Sequence, residues 1–169
     1  MYRNDPALLD EVERLRAENA ELRYDPDYGI LRRAGIERRY HQIDPHEPMS
    51  LIALDVDDMR GNNAKWGYDG TNHRIKASLA CVRHGDIGRW YSGDEIVLIV
   101  PSSIVGVMVD RLTQSFAQHE LSAMYGVATC TGDMSADVGR AFAQVQHQKK
   151  EAKRWTNRLR RWLFRPSIG

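Results

Sequence analysis

An α+β domain, with a mostly antiparallel sheet carrying helices on one face, is the fold class this sequence predicts. Three observations lead there. The run LIAL is continuously apolar and leads into Asp55, Val56 and Asp57. Two further strand-like runs, GRWYS and EIVLIVP, flank a Gly-Asp pair, a strong short hairpin signal. Between and around these strands lie segments in which apolar residues recur at helical spacing.

In chain order, residues 6–23, PALLDEVERLRAENAELR, are helix formers throughout. Leu8, Val12, Leu15, Asn19 and Leu22 recur at steps of four and three, which is a heptad seam with Asn19 at an a position, a device that fixes a parallel two-stranded register. The same helix packed on its own domain is the plainer alternative, because two and a half heptads are close to the marginal helix length. After the break YDPDYG a second helix is expected over about residues 30–40, closed by DPHEP. The strand MSLIALDV follows, and its period of two puts Asp55 and Asp57 on one face. MRGNNAKWGYDG reads as loop and short helix, and TNHRIKASLACVRHG as a helix. The hairpin, a helix SIVGVMVDRLTQSFAQ, a strand LSAMYGVATC and a long helix from about Ser135 complete the order. No internal repeat or low-complexity segment interrupts it.

A chain of 169 residues with 42% apolar residues holds one core, and a net charge of +1 argues against a nucleic-acid or membrane partner on overall balance. Cys81 and Cys130 lack any CxxC or Cys/His spacing and no secretory leader is evident, so a reducing cytoplasm is the simplest compartment. No apolar run approaches the ~20 residues of a membrane-spanning helix.

The chemistry concentrates in four acids. If the strand ending at Asp55 neighbours the hairpin, Asp55, Asp57, Asp94 and Glu95 converge, and converging carboxylates raise one another's pKa unless a cation holds them ionised. An all-oxygen donor set suits Mg²⁺ or Mn²⁺ and phosphoryl or nucleotidyl transfer. The plainer alternative is solvated strand ends and an ordinary turn.

LDVDDMRGNNAKWGYDGTN, followed about twenty residues later by WYSGDEI, resembles the GGDEF domain of diguanylate cyclases, with its DxD strand end, N(D)xxGHxxGD segment and GG[DE]EF hairpin. DPDYGILRR resembles that family's DxLTGLxNR, MYGVA its SIGVA strand, and EAK the AK of its last helix. The resemblance spans about residues 25–153 and implies a palm-like, ferredoxin-like sheet. The minimal CRISPR polymerases share that fold and are an alternative subgroup.

Carried over by position, the resemblance makes Asp55 and the Val56 carbonyl metal ligands, and Asp94 the carboxylate shared by metal and attacking 3′-hydroxyl, with Glu95 and Asp57 in support. It gives the triphosphate to the amides of Asp58 and Met59, to Arg60 and to Lys153, and the base to Asn63 and Asn72. The family has Asp where Asn72 stands. A carboxylate only accepts hydrogen bonds, matching the N1 and N2 donors of guanine, whereas an amide also donates and serves adenine equally. Ser92, Ile96, Tyr68, Thr71 and Asn157 are further departures; Arg158 is a neighbouring substitute for the family's Arg. Arg83 and Asp86 of RHGD stand where the family has its RxxD product-inhibition site, although Arg and Asp are also common between a helix and a strand.

Trp66, Trp90 and Tyr91 read as packing rather than base-stacking groups. The final stretch is basic and amphipathic, with Trp155, Leu159, Trp162 and Leu163 on one face. It suits docking on its own domain or a dimer partner, contact with an anionic membrane surface, or, with least support, nucleic acid. The expected organisation is therefore a coiled-coil dimerisation helix (1–24), a GGDEF-like domain (25–153) and a basic tail (154–169). The expected function is a homodimeric, Mg²⁺- or Mn²⁺-dependent nucleotidyl cyclase that joins two NTPs, GTP on family precedent or ATP through Asn72, into a cyclic dinucleotide. A silent nucleotide- or partner-binding module and a cyclic-nucleotide synthase of antiviral defence are the alternatives.

Overall fold

The computed structural model describes residues 6–91 and 93–163. Ser92 and residues 164–169 lie outside the described residues, as do the side chains of Leu22, Asn157, Arg158, Leu159, Trp162 and Leu163. Helix α1 (Pro6–Arg23) precedes α2 (Arg33–His41), β1 (Met49–Val56), α3 (Met59–Leu79), β2 (Ile87–Arg89), β3 (Glu95–Pro101), α4 (Val105–Gln118), β4 (Ala123–Thr129) and α5 (Met134–Leu163). The four strands form one antiparallel sheet in the order β2-β3-β1-β4. The α+β class and the antiparallel sheet match the expectation.

The helices cover both faces of that sheet, not one. Every residue of β1 is buried, and β3 is buried from Ile96 to Val100. Such runs have no polar side to offer water, so each face needs a cover. Ile52, Leu54, Ile96 and Leu98 pack with Ile75 and Leu79 of α3 and Leu112 and Phe116 of α4. Leu51, Ala53, Val97 and Ile99 pack with Ile36 of α2 and Val138, Ala141 and Val145 of α5. Each such aliphatic side chain stabilises the fold by ~1.5–3 kcal/mol. Gly126 in β4 lets α5 come close, since a Cβ there would run into the Ala141 carbonyl.

Three element boundaries differ from expectation for identifiable reasons. Helix α2 begins at Arg33 rather than near residue 30 because Leu31 is recruited to the sheet. Its N–H donates to the Ile87 carbonyl (3.0 Å) and its carbonyl accepts from Arg89 N–H (2.8 Å). The expected loop plus helix over residues 59–79 is one helical stretch broken at Gly67, whose φ of 75° only glycine adopts without strain. The hairpin is wider than a two-residue turn: β2 ends at Arg89, Trp90 N–H still bonds the Glu95 carbonyl (2.9 Å), and the tip lies between them. Among the described residues no helix is long and apolar enough to cross a membrane. The basic tail starts as a direct continuation of α5.

Candidate functional site

The site forms where β1 and β3 end side by side. Their register pairs Asp55 with Glu95, and directly opposed residues on an antiparallel pair have Cβ atoms ~4.5–5.5 Å apart. Strand alternation puts Asp55 on the same face as Leu51 and Ala53, and Glu95 on that of Val97 and Ile99, so both acids face α5. Asp94 joins them from the hairpin tip, where its carbonyl accepts the Val56 N–H (3.2 Å).

These carboxylates feel one another. Burial pushes Asp55 up, Lys149 opposes that, and Asp94 and Asp57 add to it. Burial also raises Glu95, with Asp55 and Asp94 contributing. Asp55 is 3% exposed, and a carboxylate so placed needs a cation to stay ionised. Lys149 supplies one: its ammonium donates to Asp55 Oδ1. Lys153, to which the resemblance gives the triphosphate, lies one turn further along α5 and is exposed. The signal that finds Lys149 is the core stripe of the helix. Val138, Ala141 and Val145 are buried, and Lys149 is the next residue on that stripe.

The hairpin tip is held from outside the strands. The Tyr28 hydroxyl donates to the Gly93 carbonyl (2.6 Å), and its ring lies under the Arg89 guanidinium (4.9 Å). Arg89 in turn donates to Asp25 (2.6 Å). This clamp is the structural use of the DPDYG segment.

The remaining predicted residues are distributed as follows. Asp57 is turned toward β4: its N–H donates to the Ser122 carbonyl and Ser122 Oγ donates to Asp57 Oδ2, both at 2.9 Å. Asp58 is the cap of α3, its Oδ1 accepting the Gly61 N–H (3.0 Å). Met59 and the exposed Arg60 open that helix, immediately after the acidic strand end. Asn63 and Asn72 lie on either side of the Gly67 break, each with a buried Oδ1 that has no hydrogen-bond partner among the described residues. Such an acceptor costs ~1–3 kcal/mol unless something donates to it. Asp86 is tied to Arg39 of α2 (2.9 Å), and Arg83 is exposed in the turn before it. Trp90 is buried under Arg33 (4.4 Å) and Trp66 is half-buried between Lys65 and Arg74, as packing groups are. Tyr91, by contrast, is 70% exposed.

Whether this set suits a metal is a question of donor chemistry. Two carboxylates, Asp55 and Asp94, and the Val56 carbonyl are hard oxygen donors, and a cationic group already sits on Asp55. That fits Mg²⁺ or Mn²⁺, which take one or two carboxylates and complete their shell with water and phosphate. Among the described residues no three His, Cys, Asp or Glu side chains are arranged to hold a metal ion by themselves.

No family model matches the chain, and no curated protein matches it. Solved structures do. The chain is similar to a microbial GGDEF domain studied with cyclic di-GMP, with a TM-score of 0.63 and 23% identity over 77% of this chain and 94% of that one. It is similar to the coiled coil and GGDEF domain of DgcB from Caulobacter crescentus, with a TM-score of 0.66 and 16% identity over 86% and 92%. It is also similar to the diguanylate cyclase SiaD from Pseudomonas aeruginosa, solved with its activator SiaC, with a TM-score of 0.65 and 22% identity over 86% of this chain and 65% of that one. The chain therefore has the GGDEF fold.

Proposed function

We propose that the chain is a metal-dependent nucleotidyl cyclase, working as a homodimer in the cytoplasm, that joins two purine NTPs into a cyclic dinucleotide and releases pyrophosphate. One observation carries the reading: a buried Asp55 beside Glu95 and Asp94, with a lysine on it, at the strand end that leads into a helix N-terminus. A surface turn has no reason to bury a carboxylate among other carboxylates.

Asp55, Asp94 and the Val56 carbonyl would hold the metal. A bound Mg²⁺ or Mn²⁺ makes the attacking 3′-hydroxyl more acidic and neutralises the leaving pyrophosphate. The chain's own groups do the rest. Arg60 and Lys153 offer positive charge to the triphosphate, together with the first amides of α3. The orphaned oxygens of Asn63 and Asn72 accept base N–H groups, which both guanine and adenine carry. Asp94 and Glu95 sit where an attacking hydroxyl can lose its proton.

One subunit binds one NTP, so two must face each other to close a ring, and a shared helix raises their effective concentration. The α1 seam is open for that: Leu8 and Leu15 are 52% and 49% exposed. The match to DgcB supports it, rising from 77% of this chain for the GGDEF domain alone to 86% when the coiled coil is included. Incubation with each of the four NTPs and Mg²⁺ or Mn²⁺, with products resolved by mass and linkage, tests the reading. A cyclic dinucleotide from GTP or ATP is expected; no NTP consumption under any condition contradicts it.

A further inference from the structure

We propose that Lys149 and Asp58 hold the places of the metal ion and of the nucleotide phosphates, so that the chain takes up the two together and binds either one poorly alone. This rests on the function proposed above.

Lys149 belongs to none of the motifs that mark the site. Its position on the buried stripe of α5 carries its stem over the sheet and brings its ammonium onto Asp55, with Glu95 also within its electrostatic reach. Its side chain is 28% exposed and that of Asp55 5%, so water screens the pair weakly. A divalent cation arriving at Asp55 meets a positive charge already seated there. It binds only if Lys149 leaves, and a departing lysine in a half-buried site needs a new anion. A triphosphate is one.

Asp58 is the opposite case. It is a non-glycine residue in the left-handed region, with φ 47° and ψ 47°, a conformation that Asp tolerates better than most residues. That backbone folds its carboxylate over the start of α3, onto the Gly61 N–H. Gly61 makes the space, since a Cβ there would run into the Asp58 carboxylate. A helix N-terminus attracts anions through its free N–H groups and dipole, and here the anion is the chain's own. A nucleotide arriving without metal meets that negative charge, and the acids of the strand ends behind it. Metal and triphosphate arriving together neutralise each other's obstacle: phosphate receives Lys149, and the metal's charge offsets Asp58.

The test reads binding, not turnover. Mn²⁺ alone is titrated by electron paramagnetic resonance into the wild type, K149M, K149Q and K149R at one pH. GTP and ATP are titrated in excess EDTA into the wild type and D58N, in which the amide keeps the cap and loses the charge. Circular dichroism melts establish that each variant folds. Mn²⁺ should bind K149M and K149Q about tenfold tighter than the wild type, the weight of one charge-assisted hydrogen bond lost from the competing state, while K149R stays like the wild type. D58N should bind metal-free nucleotide several-fold tighter. If Lys149 variants bind Mn²⁺ no tighter than the wild type, or D58N gains nothing, the inference is overturned, while tight binding of Mn²⁺ with nucleotide leaves the proposed function standing. If the wild type and variants bind Mn²⁺ neither alone nor with nucleotide, the function fails and the inference with it.

Discussion

Single residues decide how charge is managed in this molecule, and they do it in two contrasting ways. At the strand ends, burial and neighbouring acids raise Asp55 and Glu95, so the fold carries like charges it would be more stable without. At the start of α5, burial also pushes Asp137 up, but hydrogen bonds from Tyr40 and from Thr131, and the Arg140 charge, outweigh it and hold the carboxyl below its ordinary value. A lowered folded value means stability that is present above the unfolded pKa and is lost as pH falls through the folded one. Asp137→Asn should therefore cost about 3 kcal/mol at pH 7, where a buried charge-assisted network is broken. The difference from wild type should shrink at pH 3. Urea unfolding at both pH values reads it. The acids of the site were legible in the sequence because motif spacing and strand alternation both point to them. Lys149 was not, because its partner is set by how α5 lies on the sheet, and the family motif directs attention to Lys153 one turn away.

At the scale of elements, that placement of α5 is the critical feature, since it decides which lysine reaches Asp55. Gly126 controls it by letting β4 and α5 approach. Gly126→Ala should push the helix outward, costing ~1–3 kcal/mol as overpacking does, and should weaken metal-dependent turnover with no change in any site residue. Urea denaturation and NTP consumption measured on the same variant check both halves. The strands, the hairpin and the long helices were readable as period and length. What was misread has a common cause. The sequence shows that LIAL and IVLIV are apolar but does not count the faces they bury, so helices were expected on one side only. Likewise the pull of Leu31 into the sheet, and of the hairpin tip onto Tyr28 and Val56, comes from partners distant in sequence.

The whole molecule is a GGDEF-fold domain between two helical ends. The exposed leucines of α1 leave the seam free for a second copy, and the proposed reaction requires one. A chain lacking residues 1–23 should remain folded, because none of the described side chains of that helix is among the buried core residues. It should sediment as a monomer and lose most of its rate at low protein concentration, with partial recovery as concentration rises. Analytical ultracentrifugation beside a rate series over protein concentration separates this from a helix that merely packs on its own domain. The basic tail is a separate matter: liposome sedimentation of the full chain and of one lacking residues 154–169 reports whether it contacts an anionic surface.

The most direct measurement of the central claim is pyrophosphate release from GTP and ATP with Mn²⁺, comparing the wild type with Asp94→Asn. That variant removes one charge at the hairpin tip and keeps the side chain's size. The account predicts metal-dependent release by the wild type and a loss of at least about a hundredfold in the variant, the scale on which a group acting directly at the reacting atoms contributes. Equal release by the two proteins, or none by either with any metal, would contradict it.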